Sequence, residues 1–292
     1  MTNNEENRNP AQQDWQNMPP EPNKPGAGPH EPKDTPPLDQ PGQPQNLPPG
    51  AQQIWVKAPA VKPIVTYLIF GATILVFLAQ NFVKFQFKAD FVLAFLAKVN
   101  SAIISGELWR FFTPVLVHGG IIHIGFNMYA LWILGRQVEM LFGHGRFTML
   151  YLVGAFGGNV LSFAFSPAAS VGASTAIFGL IGAHAVFIFK NRKIFGERTR
   201  GMLTQIAFIL LLNFTISIVP NSAIDLWGHL GGFLAGTVYA VLGAPVLDVK
   251  RKDGRFTLED TTAKSDGYLA FLMVILAFSV IAFFVIRNAR AL

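Results

Sequence analysis

Four polar side chains stand in or beside long apolar stretches of this 292-residue chain: His123, Asn127, Ser174 and His229. A polar or ionisable group at such a position is costly in a bilayer and usually marks function. The residue types suit one kind of chemistry. A Ser hydroxyl is a weak nucleophile until a neighbouring base takes its proton. An imidazole, with an ordinary pKa near ~6.5, is largely neutral at pH 7 and can serve as that base. Ser174 lies in Gly172-Ala173-Ser174-Thr175-Ala176-Ile177-Phe178-Gly179, and His229 in Asp225-Leu226-Trp227-Gly228-His229-Leu230-Gly231-Gly232. A tetrahedral intermediate also needs donors for its oxyanion. Ser174 opens a predicted helix, so its backbone N–H is free to donate. His123 and Asn127 are one helical turn apart, so their side chains reach the same point.

Those groups make a site only if helices carry them to one depth. The chain is 51% hydrophobic and only 14% charged, against about 25% charged in ordinary soluble domains. Its mean hydropathy is +0.38. An all-α, polytopic membrane helix bundle is expected. Apolar runs near the ~20 residues needed to span hydrocarbon predict helices at about 63–80, 121–141, 147–165, 174–189, 202–219, 226–244 and 267–286. The segment 81–120 mixes Phe82, Phe85, Phe87, Phe91 and Phe95 with Lys84, Lys88, Asp90 and Lys98, a pattern suited to lying in the membrane interface.

Lys and Arg set the orientation. Lys190, Arg192, Lys193, Arg198 and Arg200 fall between predicted helices four and five. Lys250, Arg251, Lys252, Arg255 and Lys264 fall between six and seven, while 166–173 and 220–225 contain neither type. Cytoplasmic loops are the basic ones, which puts the N-terminus in the cytoplasm and the C-terminus outside. The long first loop, with Lys84, Lys88, Lys98 and Arg110, is the exception. Helices two, four and six then all run inward, and His123, Asn127, Ser174 and His229 share one level about a turn below the outer surface. Gly232 and Gly236 form a small-xxx-small face that lets helix six approach helix four closely.

The net charge of +6 comes from clusters between apolar runs, so it reads as topology rather than as nucleic-acid binding. Cys is absent, which excludes disulfides and thiolate metal sites. No metal constellation or phosphate loop appears, so no cofactor is expected. The polar N-terminus lacks the apolar core of a cleavable signal peptide. Residues 1–58 hold thirteen of the nineteen prolines before residue 50 and no Phe. They are expected to form a disordered, Pro-rich cytoplasmic tail, a tether that could also dock an unknown partner. A helical core over 60–245, a basic cytoplasmic linker over 246–266 and a seventh membrane helix with a short tail over 267–292 complete the predicted organisation.

These residues together resemble the rhomboid family of intramembrane serine proteases. The matches are Trp109-Arg110, then His118, His123 and Asn127 in an H-x4-H-x3-N pattern, Glu139 and Gly143, Gly172-Ala173-Ser174, and His229-x-x-Gly232-x-x-x-Gly236. The resemblance implies a six-helix core, to which the seventh helix is an addition, and a Ser174–His229 dyad with no catalytic carboxylate. It implies an oxyanion hole of Ser174 N–H, His123 and Asn127. Substrates would be single-span membrane proteins cut near the outer ends of their spans, at small residues near helix-breaking ones. The setting would be a bacterial cell membrane. Two positions depart from the pattern. Thr175 stands where the family usually has Gly, and Phe178 where many members have a Tyr that packs on the His.

Each residue also has a plainer reading. Ser174 could be only a helix N-cap, and His229 only a buried His bonded to a carbonyl. His118 is expected to be structural. Asp225 invites a triad, but its position before a helix suits a cap. Trp109-Arg110 suits loop bracing, and Arg136 and Glu139 a structural role. A catalytically weak rhomboid-like protein that binds clients without cutting is the main alternative. A transporter is disfavoured because the polar groups cluster on one side and no internal repeat is visible.

Overall fold

In the computed structural model, residues 61–219, 224–252 and 255–291 are described. The predicted Pro-rich tail and its partner lie outside them. The described chain is mainly helical, and five helices are long and apolar enough to cross a membrane. They are α1 (Ile64–Phe87), α6 (His144–Phe165), α9 (Arg198–Ser217), α10 (Leu226–Gly243) and α11 (Lys264–Ala291). Five such helices are what an integral, multi-pass membrane protein requires. The apolar helix α7 (Ser174–Lys190) is shorter. Predicted helix two is broken into α4 (Ile121–Ala130), a π turn at Leu131–Gly135 and α5 (Arg136–Phe142).

That π turn has a positional consequence. Asn127 and Glu139 are twelve residues apart, which at 100° per residue leaves them about 120° out of phase on a regular helix. A π turn absorbs one extra residue, so the offset falls to about 20° and both side chains face inward. Asn127 and Glu139 are both buried. Glu139 then reaches the start of α1, where its oxygens accept from Val65 N at 2.8 Å, Thr66 N at 2.7 Å and the Thr66 hydroxyl at 2.6 Å. The first N–H groups of α1 have no intrahelical acceptors, and a carboxylate from another helix supplies them. The buried residues of α1 are Thr66, Thr73 and Gln80, a seven-residue stripe facing the protein. Leu68, Leu75, Leu78 and Phe82 are exposed, as expected for a helix whose solvent is lipid.

The centre is α6, α7 and α10, joined backbone to backbone through glycine. A methyl added at Gly236 would lie 2.1 Å from the Gly179 carbonyl oxygen, and one at Gly232 would lie 2.0 Å from that of Thr175. Gly179 in turn leaves only 2.9 Å to Gly154 in α6. The small-residue face read from sequence therefore seats α10 on α7.

Several predicted boundaries change. The first helix continues to Phe87, so Phe82, Phe85 and Phe87 belong to it rather than to the connection that follows. The connection after it folds as α2 (Phe91–Leu96), α3 (Asn100–Ile104) and two 3-10 turns, Leu108–Phe111 and Thr113–Leu116. Lys98 and Arg110 are buried in it, so two of the cations that broke the loop-charge pattern are structural. The predicted linker contains a hairpin, β1 (Leu247–Lys252) pairing antiparallel with β2 (Arg255–Asp260). Its base is held by Asn191, which accepts from Leu247 N at 2.7 Å and donates to the Pro245 carbonyl at 3.0 Å. Between α7 and α9 lies the short α8 (Arg192–Phe195). The last helix begins at Lys264, packs on α6 and α10, and reaches the first loop, where Arg290 donates to the Ile104 carbonyl at 2.9 Å.

Candidate active site

Ser174 is the first residue of α7, and the segment before it is fixed at several points. Gly172 adopts φ +115°, a conformation open mainly to glycine. Its N–H donates to the Pro114 carbonyl at 2.9 Å. The Ala173 N–H donates to His118 Nε2 at 3.3 Å. His118 is held by Gln80 of α1, whose side chain donates to the His118 carbonyl at 2.9 Å and accepts from its N–H at 3.4 Å. His118 therefore positions the segment that leads to Ser174. Burial, with the His123 ring beside it, lowers its pKa to about 4, which keeps Nε2 a neutral acceptor.

His123 and Asn127 converge on the same segment. A methyl added at Gly172 would lie 2.6 Å from His123 Nε2 and 3.7 Å from Asn127 Nδ2. Gly172 is thus glycine for two reasons, its φ and the imidazole against it. His123 Nδ1 accepts from the Gly119 N–H at 3.4 Å, an assignment that leaves the proton on Nε2, facing Gly172. Asn127 Nδ2 donates to the His123 carbonyl at 2.9 Å and retains its second N–H.

His229 is buried one turn into α10. Its ring stacks on Phe178 with centroids 4.1 Å apart and an interplanar angle of 15°. Phe178 is one turn after Ser174, so the imidazole lies beside the first turns of α7. His229 Nδ1 is buried without a partner, and no hydrogen bond joins His229 to Ser174 among the described residues. Catalytic hydrogen bonds often tighten only once substrate is bound. Asp225 is the N-cap of α10, its Oδ1 accepting from Gly228 N at 2.9 Å. Its Oδ2 accepts from the Ser162 hydroxyl of α6. Both oxygens have structural partners, as expected of a cap.

Thr175 fills space that glycines leave open. A methyl at Gly158 would lie 2.5 Å from Thr175 Cβ, and one at Gly228 would lie 3.2 Å from Thr175 Cγ2. Extra bulk on α7 is matched by absent bulk on α6 and α10, so Thr175 does not wedge the helices apart. Its hydroxyl is buried with no partner.

The remaining motif residues brace the scaffold. Arg110 donates to the Ala94 and Ala97 carbonyls at 2.8 and 2.6 Å and pairs with Glu107 at 2.7 Å. Trp109 Nε1 donates to the Phe95 carbonyl at 3.2 Å, with the two rings 5.3 Å apart. Sequence reasoning missed Lys98. Its Nζ donates to the Ala168, Ser166 and Ser162 carbonyls at 2.6, 3.2 and 3.5 Å and to Asn100 Oδ1 at 3.1 Å. Its backbone forms an antiparallel bridge with Ser170. Burial lowers its pKa to about 8, an effect partly offset by Asp225. Lys98 thus ties the first loop to the end of α6 and to the chain entering Ser174. Among four lysines and arginines in one loop, nothing in its spacing set it apart.

Comparison with known proteins adds to this geometry. The family model for the Rhomboid domain matches residues 105–246. The chain is 42% identical over 189 residues to "Rhomboid protease GluP" of Bacillus subtilis, covering 63% of this chain and 36% of that one. It is 39% identical over 139 residues to "RHOMBOID-like protein 1" of Arabidopsis thaliana, covering 47% and 35%. It is 32% identical over 160 residues to YdcA of Bacillus subtilis, named as a candidate rhomboid protease, covering 54% and 75%. The aligned region thus spans only about a third of the length of the first two relatives.

Proposed function

The chain belongs to the rhomboid family, and from that membership we propose that it is an intramembrane serine endopeptidase using Ser174 and His229. The Ser174 hydroxyl attacks the scissile carbonyl while His229 takes its proton. Charge on the carbonyl oxygen is met by the Ser174 N–H, His123 Nε2–H and the free Asn127 N–H. Collapse of the tetrahedral intermediate breaks the C–N bond, and His229 returns the proton to the leaving amine. Water then attacks the acyl-enzyme, again through His229, releasing the carboxylic product and restoring Ser174. The carrying observation is convergence. The loop before Ser174 rests on His123 and Asn127, and Phe178, one turn after it, holds the His229 ring.

In this reading the chain crosses the membrane seven times, with the N-terminus in the cytoplasm, the C-terminus outside and the site near the outer surface. Substrates are single-span membrane proteins cut near the outer ends of their spans. The missing Ser174–His229 hydrogen bond favours one second reading, a catalytically weak relative that binds such clients without cutting. A serine-reactive fluorophosphonate separates the two. Wild type should be labelled and should cleave a single-span substrate, whereas Ser174→Ala and His229→Ala, folded and inserted, should do neither. Wild-type rates in Ser174→Ala would sink the proposal.

A further inference from the structure

At the end of α7 opposite Ser174, the chain turns through α8 into α9 and lines a wide, open groove of about 870 Å³. Two chemistries meet in it. Arg192 and Arg200 supply donors, while Phe189, Leu203 and Ala207 supply an apolar wall; the Thr199 hydroxyl donates to the Arg192 carbonyl at 3.4 Å. Arg192 is partly committed, donating to the Phe189 carbonyl at 3.1 Å with its guanidinium 4.8 Å above the Phe189 ring. Arg200 makes no ion pair or hydrogen bond among the described residues. Glu197 also lines the groove. It subtracts one charge, but the stretch 190–200 carries five Lys and Arg against that single Glu, a surplus of four positive charges.

We propose that this groove binds the headgroup of an anionic phospholipid, with its phosphate between Arg192 and Arg200 and an acyl chain along the apolar wall. The location selects a lipid over a soluble anion. The groove lies where one helix of the bundle ends and a membrane-length helix begins, so its apolar side continues into hydrocarbon. α9 presents nearly all of its length to the surroundings, with Ser217 its one buried residue. Its apolar side chains Leu211, Leu212 and Phe208 are exposed. A lipid seated at the foot of α9 would bridge it to α7 and α8 and extend its sparse packing. Basic pockets between membrane helices are suited to such headgroups, each nearby cation adding to the attraction. This inference needs membrane insertion but not proteolysis, so its test reads binding alone.

The test uses the full chain, delipidated in detergent and titrated with phosphatidylglycerol or phosphatidylcholine, with native mass spectrometry counting retained lipid. Wild type should retain one phosphatidylglycerol more tightly than any phosphatidylcholine. The double variant Arg192→Gln/Arg200→Gln should lose at least about tenfold in that affinity. Glu197→Gln should gain, which guards against a double variant that merely fails to fold. Equal retention of the two lipids, or no change in either variant, would overturn the site. Displacement of bound lipid by millimolar inorganic phosphate would also overturn it, because the groove would then serve a soluble anion.

Discussion

Replacing Thr175 by Val tests a hydroxyl that the packing of the candidate site leaves without a partner. Thr175 is 3% exposed, and its Oγ1 has no partner. Its Cβ and Cγ2 occupy room vacated at Gly158 and Gly228. A buried donor left unpaired costs about 1–3 kcal/mol. Valine keeps the shape and removes that cost, so Thr175→Val should be stabilised by about 1 kcal/mol. Glycine does the reverse. It deletes two carbons worth about 0.8 kcal/mol each, adds roughly 1 kcal/mol for a residual cavity of ~40 Å³, and recovers about 1 kcal/mol from the lost hydroxyl. The backbone adds up to about 1 kcal/mol, so Thr175→Gly should lose roughly 2–3 kcal/mol. Turnover should change by less than about tenfold in both variants, because the groups assigned to chemistry sit on other side chains. Denaturation in detergent and cleavage of a single-span substrate, run side by side with fluorophosphonate labelling, read both effects. A hundredfold loss of turnover in a stable Thr175→Val would refute the filler argument and make the hydroxyl part of the mechanism. An inert wild type revived by Thr175→Gly would move the non-cutting reading into the lead.

Asn127→Ala should slow turnover by roughly 10²-fold, the size expected for one oxyanion donor. Weaker substrate binding at unchanged turnover would instead make Asn127 a contact residue. Lys98→Met should cost about 3 kcal/mol, because carbonyls at the end of α6 lose their shared donor; unchanged stability would remove Lys98 from the scaffold. The pKa of His118 is about 4 in the fold against 6.5 unfolded. Between those values the unfolded chain binds a proton that the folded chain refuses, so stability is full above 6.5 and falls as pH drops toward 4. His118→Gln should flatten that slope in denaturation midpoints measured from pH 7 to 5; an unchanged slope would assign it to other groups.

Much of this architecture is legible because lipid imposes simple rules. Helix length follows hydrocarbon thickness, and close helix approach leaves its record in glycines such as Gly179, Gly232 and Gly236. The residues that define the candidate site are legible for a related reason. Polar groups in apolar surroundings are expensive, so Ser174 and His229 stand out before any contact is known. What sequence hides is geometry that no local pattern encodes. The π turn at Leu131–Gly135 has no apolar signature, yet it decides whether Asn127 and Glu139 share a face. The β1–β2 hairpin sits in a charged stretch that reads as linker, because its pairing is held by Asn191 from a different part of the chain.

Lys98 shows the limit most clearly. In sequence it is one cation among several beside aromatic residues, and the ordinary inference places it among lipid headgroups. In the fold its four acceptors are the Asn100 side chain and three carbonyls around the end of α6, where the helix leaves its last carbonyls unpaired. Ser162, one of those three, also reaches Asp225 through its hydroxyl, and Asp225 caps the helix that carries His229. One buried ammonium therefore links the strand-like approach to Ser174 with the start of α10. The charge is placed by acceptors from two segments far apart in sequence, its own loop and the end of α6, and such placement becomes visible only when those segments have folded.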